Sequence, residues 1–270
     1  MKYYLYNSLA NNGIKPQVEE GIELKDVIGL DYPMFFAGLA ADDEVVFLGG
    51  DGTINYLINA IDTDALKNKV YLRGAGTGND FLRDIEKPVG EEVLMNDYMK
   101  NLPTVYVNGM ERKFINGIGY GIDGYCCEVA DQIKEKEPNK EIDYSGIAIK
   151  GILFHFKPRH ATITVDGETF EYDNVWIAAT MKGRFYGGGL MITPAQDRSG
   201  DTVSVVAYKA SSKLKALMNF PAISKGEHVK KTDMVKIHEG KEIEVSFTVP
   251  CAMQIDGETV LNVSSYKVRA

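Results

Sequence analysis

Cysteine is scarce in this chain, and the little there is cannot staple it. Cys126, Cys127 and Cys251 make an odd number, with two adjacent in sequence. There is no Cys-x-x-Cys pair, and none of His155, His160, His228 and His238 falls at zinc-ligand spacing with the cysteines. Neither a disulfide framework nor a zinc site is expected, and the thiols read as reduced. Long apolar runs are also missing, since nothing approaches the ~20 uninterrupted apolar residues that span a bilayer. The opening Met1–Leu9 (MKYYLYNSL) lacks the basic start and apolar core of a secretory leader and reads as a short strand, so a soluble, cytoplasmic protein is expected. Positive charge is short as well. The chain has 30 Lys and Arg against 38 Asp and Glu, a formal charge of −8. That argues against a nucleic-acid partner, because a phosphate backbone demands a basic surface. The local exception is Lys213, Lys215, Lys225, Lys230 and Lys231, which flank Phe220 and Pro221; these read either as a solvated face or as a contact for an anionic membrane. GxxxxGK[ST] is absent, which excludes a P-loop. GxSxG is absent too, and with no visible Ser–His–Asp grouping hydrolase chemistry has no support.

What is present falls into two textures. Tyr3–Tyr6 is a strand candidate, and Val45–Leu48 is a fully apolar run ending at Gly49, as expected of a buried parallel strand. Ile54, Leu57, Ile58 and Ile61 recur at helical spacing, Val70–Leu72 predicts another strand, and Glu91–Lys100 predicts another helix. Alternating strand and helix means an α/β unit. Past Pro103 the runs are short, β-branched or aromatic: Val105–Val107, Lys113–Ile115, Ala161–Val165, Val175–Ala179, Val203–Tyr208, Ile243–Val249 and Tyr266–Val268. Gly, Asp and Asn separate them, and Asp166-Gly167-Glu168 and Asp256-Gly257-Glu258 sit where hairpin turns would. This half predicts a β-sandwich or barrel, with the domain boundary at Leu102–Thr104.

The strongest local signal is Leu48-Gly49-Gly50-Asp51-Gly52-Thr53, where a buried strand turns into a helix. Glycines let the backbone approach a ligand, and the helix start offers unpaired N–H groups to an anion. Thr53 adds a hydroxyl, and Asp51 a carboxylate for Mg²⁺ or an attacking hydroxyl. The plainer alternative is a tight turn with a capping aspartate. Arg73-Gly74-Ala75-Gly76-Thr77-Gly78-Asn79-Asp80-Phe81 repeats the grammar after the next strand. If the two strands are parallel neighbours, both loops meet at the carboxyl edge of the sheet, a setting that suits a metal-bound polyphosphate. Gly119-Tyr120-Gly121-Ile122-Asp123-Gly124 is a literal GxGxxG, with Asp143 about 20 residues on, so it is also weighed as a dinucleotide loop.

Gly49–Thr53 and Gly76–Phe81 resemble the GGDGT and GTxNDF signatures of the diacylglycerol kinase catalytic domain family, which includes bacterial lipid kinases and the sphingosine kinases. The likeness continues through Phe114–Asp123 (FxNxxGxGxD, which absorbs the GxGxxG match), Tyr186–Gly189, Lys225–His228 and the closing Asp256-Gly257-Glu258. The resemblance implies an α/β nucleotide-binding domain over residues 1–103, a β-sandwich domain over 104–259, and a last strand, about 260–270, returning to the first domain. It implies that Asn7, Gly49, Gly50, Gly52, Thr53, Gly76, Thr77, Asn79 and Asp80 hold ATP. It further implies that Asp51, Asp80 and Glu258 organise Mg²⁺, and that Asp51 or Glu258 accepts the proton of a lipid hydroxyl. The implied partner is a lipid such as diacylglycerol at a membrane surface, met peripherally; a homodimer is left open. Two other readings stand beside it: a kinase of a soluble acceptor, as in the NAD kinases, and a nucleotide-binding regulator without turnover. The chain departs from the family pattern in three places. Asn7 is followed by Ser8 where a proline is usual, Thr104–Asn108 carries no acid, and Pro194–Asp201 places its acids differently from the family's structural Mg²⁺ loop.

Overall fold

The computed structural model describes residues 1–9, 15–76, 78–137 and 140–270. They divide into two units, Met1–Leu102 and Pro103–Ala270. In the first, β1 (Lys2–Tyr6), β2 (Ile22–Asp26), β3 (Glu44–Gly49), β4 (Lys69–Gly74) and β5 (Glu92–Leu94) form one sheet in the order β2-β1-β3-β4-β5. The first four strands run parallel and β5 is antiparallel to β4. Val45, Val46 and Phe47 of β3 are buried, as a central parallel strand requires. The helices are α1 (Tyr32–Ala37), α2 (Asp51–Ala60) and α3 (Asp80–Asp84). α2 turns Ile54, Leu57 and Ile58 inward, each a side chain whose burial contributes roughly 1.5–3 kcal/mol, while Tyr32 of α1 stacks on Phe47 with ring centroids 5.9 Å apart. Register fixes what matters for function. Tyr6 pairs with Leu48 and Gly49 with Gly74, so β1, β3 and β4 all end in one row at the carboxyl edge.

The helix expected over Glu91–Lys100 is not formed. Its residues make strand β5 and then a 3₁₀ turn, Asn96–Met99. Met95 and Met99, both buried, give the helical spacing, but the open edge of β4 needs a hydrogen-bonding partner and wins. Asn96 completes that edge: its Oδ1 accepts from Val70 N at 2.9 Å and its Nδ2 donates to Asn68 O at 2.9 Å.

The second unit is β-rich rather than all-β. Its strands are β6 (Thr104–Val107), β7 (Met110–Lys113), β8 (Gly117–Gly121), β9 (Arg159–Val165), β10 (Glu168–Met181), β11 (Phe185–Tyr186), β12 (Leu190–Met191), β13 (Val203–Lys209), β14 (Val235–Gly240), β15 (Glu242–Ile255) and β16 (Glu258–Arg269). The large sheet runs β14-β13-β10-β8-β15-β16-β6-β7, and β9 pairs with both β10 and β15. One core lies among the strands, where Tyr120 stacks on Phe247 at 4.1 Å. A second core packs α4 (Ile122–Lys136), α5 (Tyr144–Lys150) and α6 (Lys213–Ser224) through Ile122, Cys126, Ala130, Ile147, Ala216 and Ile223 around Trp176.

Three expectations change here. The Gly119–Gly124 run is a packing device: β8 lies antiparallel between β10 and β15, outside any βαβ unit, and a Cβ on Gly124 would come 2.0 Å from Ala252 O. The strand expected at Lys113–Ile115 lies earlier, behind a turn in which Asn108 and Gly109 both take positive φ, 48° and 77°. The last strand, β16, stays in the second unit, where it pairs with β15 and β6. The cause is the two-residue turn Asp256–Gly257, with φ of 45° and 93°, which folds it straight back on β15. Asp166–Gly167, at 47° and 89°, does the same for β9 and β10.

Candidate active site

β3 ends at Gly49 and α2 begins at Asp51. Gly50, the extended residue between them, has no side chain with which to cap the helix. Thr53 N donates to Gly50 O at 3.0 Å, and the N–H groups of Asp51 and Gly52 open the helix at the dipole's positive end. β4 ends one strand over, and its loop returns across Gly50. A Cβ on Gly50 would sit 3.2 Å from Gly76 Cα, and one on Gly76 would sit 3.0 Å from Gly50 Cα. Two backbones touch there, which only glycine on both sides permits.

Asp51 ties the loops together. Its Oδ2 accepts from Asp80 N at 2.8 Å and its Oδ1 from Phe81 N at 3.0 Å. α3 lacks a cap of its own, since Asn79 precedes it in the left-handed region at φ 49° with no side-chain capping bond. The capping role weighed for Asp51 is thus real, but the helix it caps is the one in the other loop. Each carboxylate oxygen keeps acceptor capacity beyond these bonds. Asp80 is buried, and its Oδ1 takes Arg83 Nη1 at 2.8 Å. Asn79 donates from Nδ2 to Gly76 O, while its Oδ1 is buried and has no partner among the described residues. A buried acceptor left open costs about 1–3 kcal/mol, so it marks a place where a donor from outside the chain would be welcome.

The other expected contacts are placed as follows. Asn7 stands at the end of β1, in the same row, with its Oδ1 accepting from Leu9 N at 2.8 Å. The Thr53 side chain folds over Gly49, where a Cβ would collide with Thr53 Oγ1 at 2.0 Å, and Gly52 is open. Thr77 lies outside the described residues. Glu258 belongs to the second unit, at the start of β16, where Arg112 ion-pairs with it. Among the described residues no three Asp, Glu, His or Cys side chains converge as a ready-made metal cage.

Two acids read in the sequence only as hairpin-turn residues also hold distant backbone in the second unit. The Asp256 Oδ2 accepts from Ile115 N at 2.7 Å, and Oδ1 accepts from Asn116 N and Gly117 N, both at 2.9 Å. Asp166 repeats the device on Lys241 N and Glu242 N. The repeated Asp-Gly-Glu was the visible signal. Asp123 is a different case. Tyr186 Oη donates to Asp123 Oδ2 at 2.5 Å, and burial pushes the carboxyl up to about 7 despite that bond. Raised above its unfolded value of 3.8, this group contributes stability that is full below that value and is lost as pH rises through about 7. Melting temperatures should therefore fall from pH 5 to pH 8 more steeply in the wild type than in Asp123→Asn, and parallel curves would disprove the assignment. In the Pro194–Asp201 loop the acids do not meet. Asp197 accepts from Ser199, Asp201 pairs with Lys241, and Arg198 donates to Ile115 O and to Asn116 Oδ1.

The first unit is thus a mostly parallel α/β sheet whose carboxyl edge carries two touching glycine turns, and the second unit is β-rich. Comparison with known families supplies the rest. The diacylglycerol kinase catalytic domain matches residues 33–105, and the YegS C-terminal NAD kinase beta sandwich-like domain matches residues 116–267, more than half the chain. This protein belongs to that lipid kinase family. It is 25% identical over 250 residues to the diacylglycerol kinase of Mycobacterium tuberculosis, covering 87% of this chain and 79% of that one. The crystal structure of a diacylglycerol kinase from Bacillus anthracis superposes with a TM-score of 0.65 at 17% identity, over 99% of this chain and 93% of that one. Another Bacillus anthracis chain superposes at 0.70 with 19% identity, over 99% and 91%. The structures bear on the fold alone. No helix among the described residues is long and apolar enough to cross a membrane.

Proposed function

We propose that this protein transfers the γ-phosphoryl group of ATP to a hydroxyl of a lipid of the diacylglycerol type. The observation that carries the reading is the Gly50–Gly76 contact, with the Asp51 carboxylate bridging to the start of α3. It makes one cradle of two loops. In this reading the α2 N-terminus, Gly49, Gly50, Gly52, Thr53, Gly76, Thr77, Asn79 and Asp80 receive the triphosphate, Asn7 borders it, and the open Asn79 Oδ1 takes a donor from the nucleotide. Mg²⁺ fits the donor set only in the manner usual for nucleotide sites: one or two carboxylates, here Asp51 and Asp80, with the remaining ligands from phosphates and water. Bound there, the metal would spread the charge of the transferring group. Asp51 or Glu258 would take the acceptor's proton.

Labelled ATP incubated with the protein and a total lipid extract should yield one labelled lipid, identified by mass. Parallel reactions with diacylglycerol, phosphatidylglycerol, sphingoid bases and NAD assign the acceptor. Labelled NADP in place of lipid would overturn the lipid reading, and tight ATP binding with no labelled product would overturn turnover itself.

A further inference from the structure

We infer that the Pro194–Asp201 loop of this chain takes no divalent cation, and that Arg198 replaces the metal there as a positioning residue for the turn that carries Glu258. The inference rests on the kinase reading only for the importance of Glu258, since every contact in it lies within the second unit. Where the family's loop offers oxygens to Mg²⁺, the oxygens here are already taken. Arg198, half-buried, donates through Nη1 to Ile115 O and through Nη2 to Asn116 Oδ1, the second at 2.8 Å. Lys182, only 7% exposed, donates from Nζ to Gly200 O at 2.6 Å. Gln196 Nε2 donates to Asp197 O at 3.1 Å and to Thr202 O at 3.2 Å. The loop's carboxylates are exposed and engaged elsewhere. Asp197 accepts from Ser199 N at 2.9 Å and Ser199 Oγ at 2.7 Å, and Asp201 pairs with Lys241. Burial, and after it the neighbouring Arg198, hold the Lys182 ammonium below its usual range. A divalent ion would add to two cations already crowded together. Magnesium demands near-octahedral oxygens with one or two carboxylates among them. The buried Gln196 Oε1, which has no partner among the described residues, supplies a single neutral oxygen.

What the guanidinium does instead follows from the two residues it holds. Ile115 N donates to Asp256 Oδ2 at 2.7 Å, while Ile115 O accepts from Arg198. Asn116 is gripped in the same way, its N by Asp256 Oδ1 at 2.9 Å and its Oδ1 by Arg198. An anion thus takes the N–H groups of this segment and a cation takes its oxygens, so both sets of bonds are charge-assisted. Asp256 N donates in turn to Gly117 O at 2.9 Å, Gly257 N donates to Gln254 Oε1 at 2.7 Å, and Glu258 is the next residue. Arg198 and Glu258 therefore stand at two ends of one hydrogen-bonded piece of backbone. A planar fork that keeps its proton suits this place, because two oxygens must be held at once.

The test uses the full chain, first without nucleotide. Wild-type protein should melt at the same temperature in EDTA and in excess Mg²⁺, and a fall on chelation that persists in Asp51→Asn would overturn the metal-free loop. Arg198→Ala should melt below wild type and exchange the amides of Ile115, Asn116, Gly117 and Gly257 faster. Its kcat should drop by about tenfold or more with KM for ATP unchanged. Methylguanidinium added to this variant should restore slow exchange and rate, and rescue by Mg²⁺ in its place would overturn the assignment. Arg198→Gln, which loses the charge and keeps one donor, should fall between alanine and wild type, and it carries the test if alanine does not fold. A variant that matches wild type in melting and exchange would refute the clamp. A raised KM for ATP at wild-type kcat would refute it too, by putting Arg198 on the nucleotide. Melting and exchange need no substrate, so an inactive wild type would sink the kinase reading alone.

Discussion

Asp51→Asn should lower phosphoryl transfer by about 10³-fold or more and should also loosen the loop that carries Asp80. The two effects have separate origins. Loss of the carboxylate removes the charge that would face magnesium or the acceptor hydroxyl, and losses of about 10²–10⁴-fold are usual for such a group. The asparagine also fails as a cap. It keeps one acceptor oxygen, but its NH₂ then confronts Asp80 N or Phe81 N, both of which now donate to Asp51. One N–H at the start of α3 is left without its acceptor, at about 1–3 kcal/mol. Steady-state kinetics read the first effect, and amide exchange at Asp80 and Phe81 reads the second. A variant that turns over at the wild-type rate would remove Asp51 from the chemistry, and unchanged exchange would deny it the cap.

Asp256→Ala should be among the most destabilising single changes in the second unit, although it belongs to neither glycine loop. Ile115 N, Asn116 N and Gly117 N would lose their common acceptor, and all three residues are buried. Charge-assisted bonds of this kind contribute about 1.5–3 kcal/mol each, and alanine at φ 45° adds about another 1–2 kcal/mol. A loss on the order of 5 kcal/mol corresponds to a fall of about 10 °C or more in melting temperature for a unit of this size. Asp256→Asn, which tolerates the left-handed backbone and keeps one acceptor, should fall between alanine and wild type. Calorimetry showing alanine level with wild type would refute the account.

The sequence was most readable where a local conformation admits few residue types. The two glycine turns announced themselves because strand, glycine pair and helix must follow in that order for the backbones to touch. The Asp-Gly turns were legible for the same reason. Asn108–Gly109 belongs with them, and reading it would have moved β7 to its true place. Failures came where partners lie far apart in the chain. Glu91–Lys100 has helical spacing at Met95 and Met99, yet the unpaired edge of β4, contributed by residues some 20 earlier, decides for a strand. Helix α4 hides behind the glycines of β8, although Ile122, Cys126 and Ala130 carry its period. The grip of Asp256 on residues 115–117 spans about 140 positions, and no local pattern reports it. For the candidate site, periodicity could place Asp51 and Asp80 on one rim. It could not show that one acid's backbone would occupy the other's side chain.

Because Gly50 and Gly76 already touch, a side chain on either would have to push the two turns apart. The freedom to vary that surface turns usually enjoy is therefore closed at both positions together, and a change at one is not repaired by a change at the other.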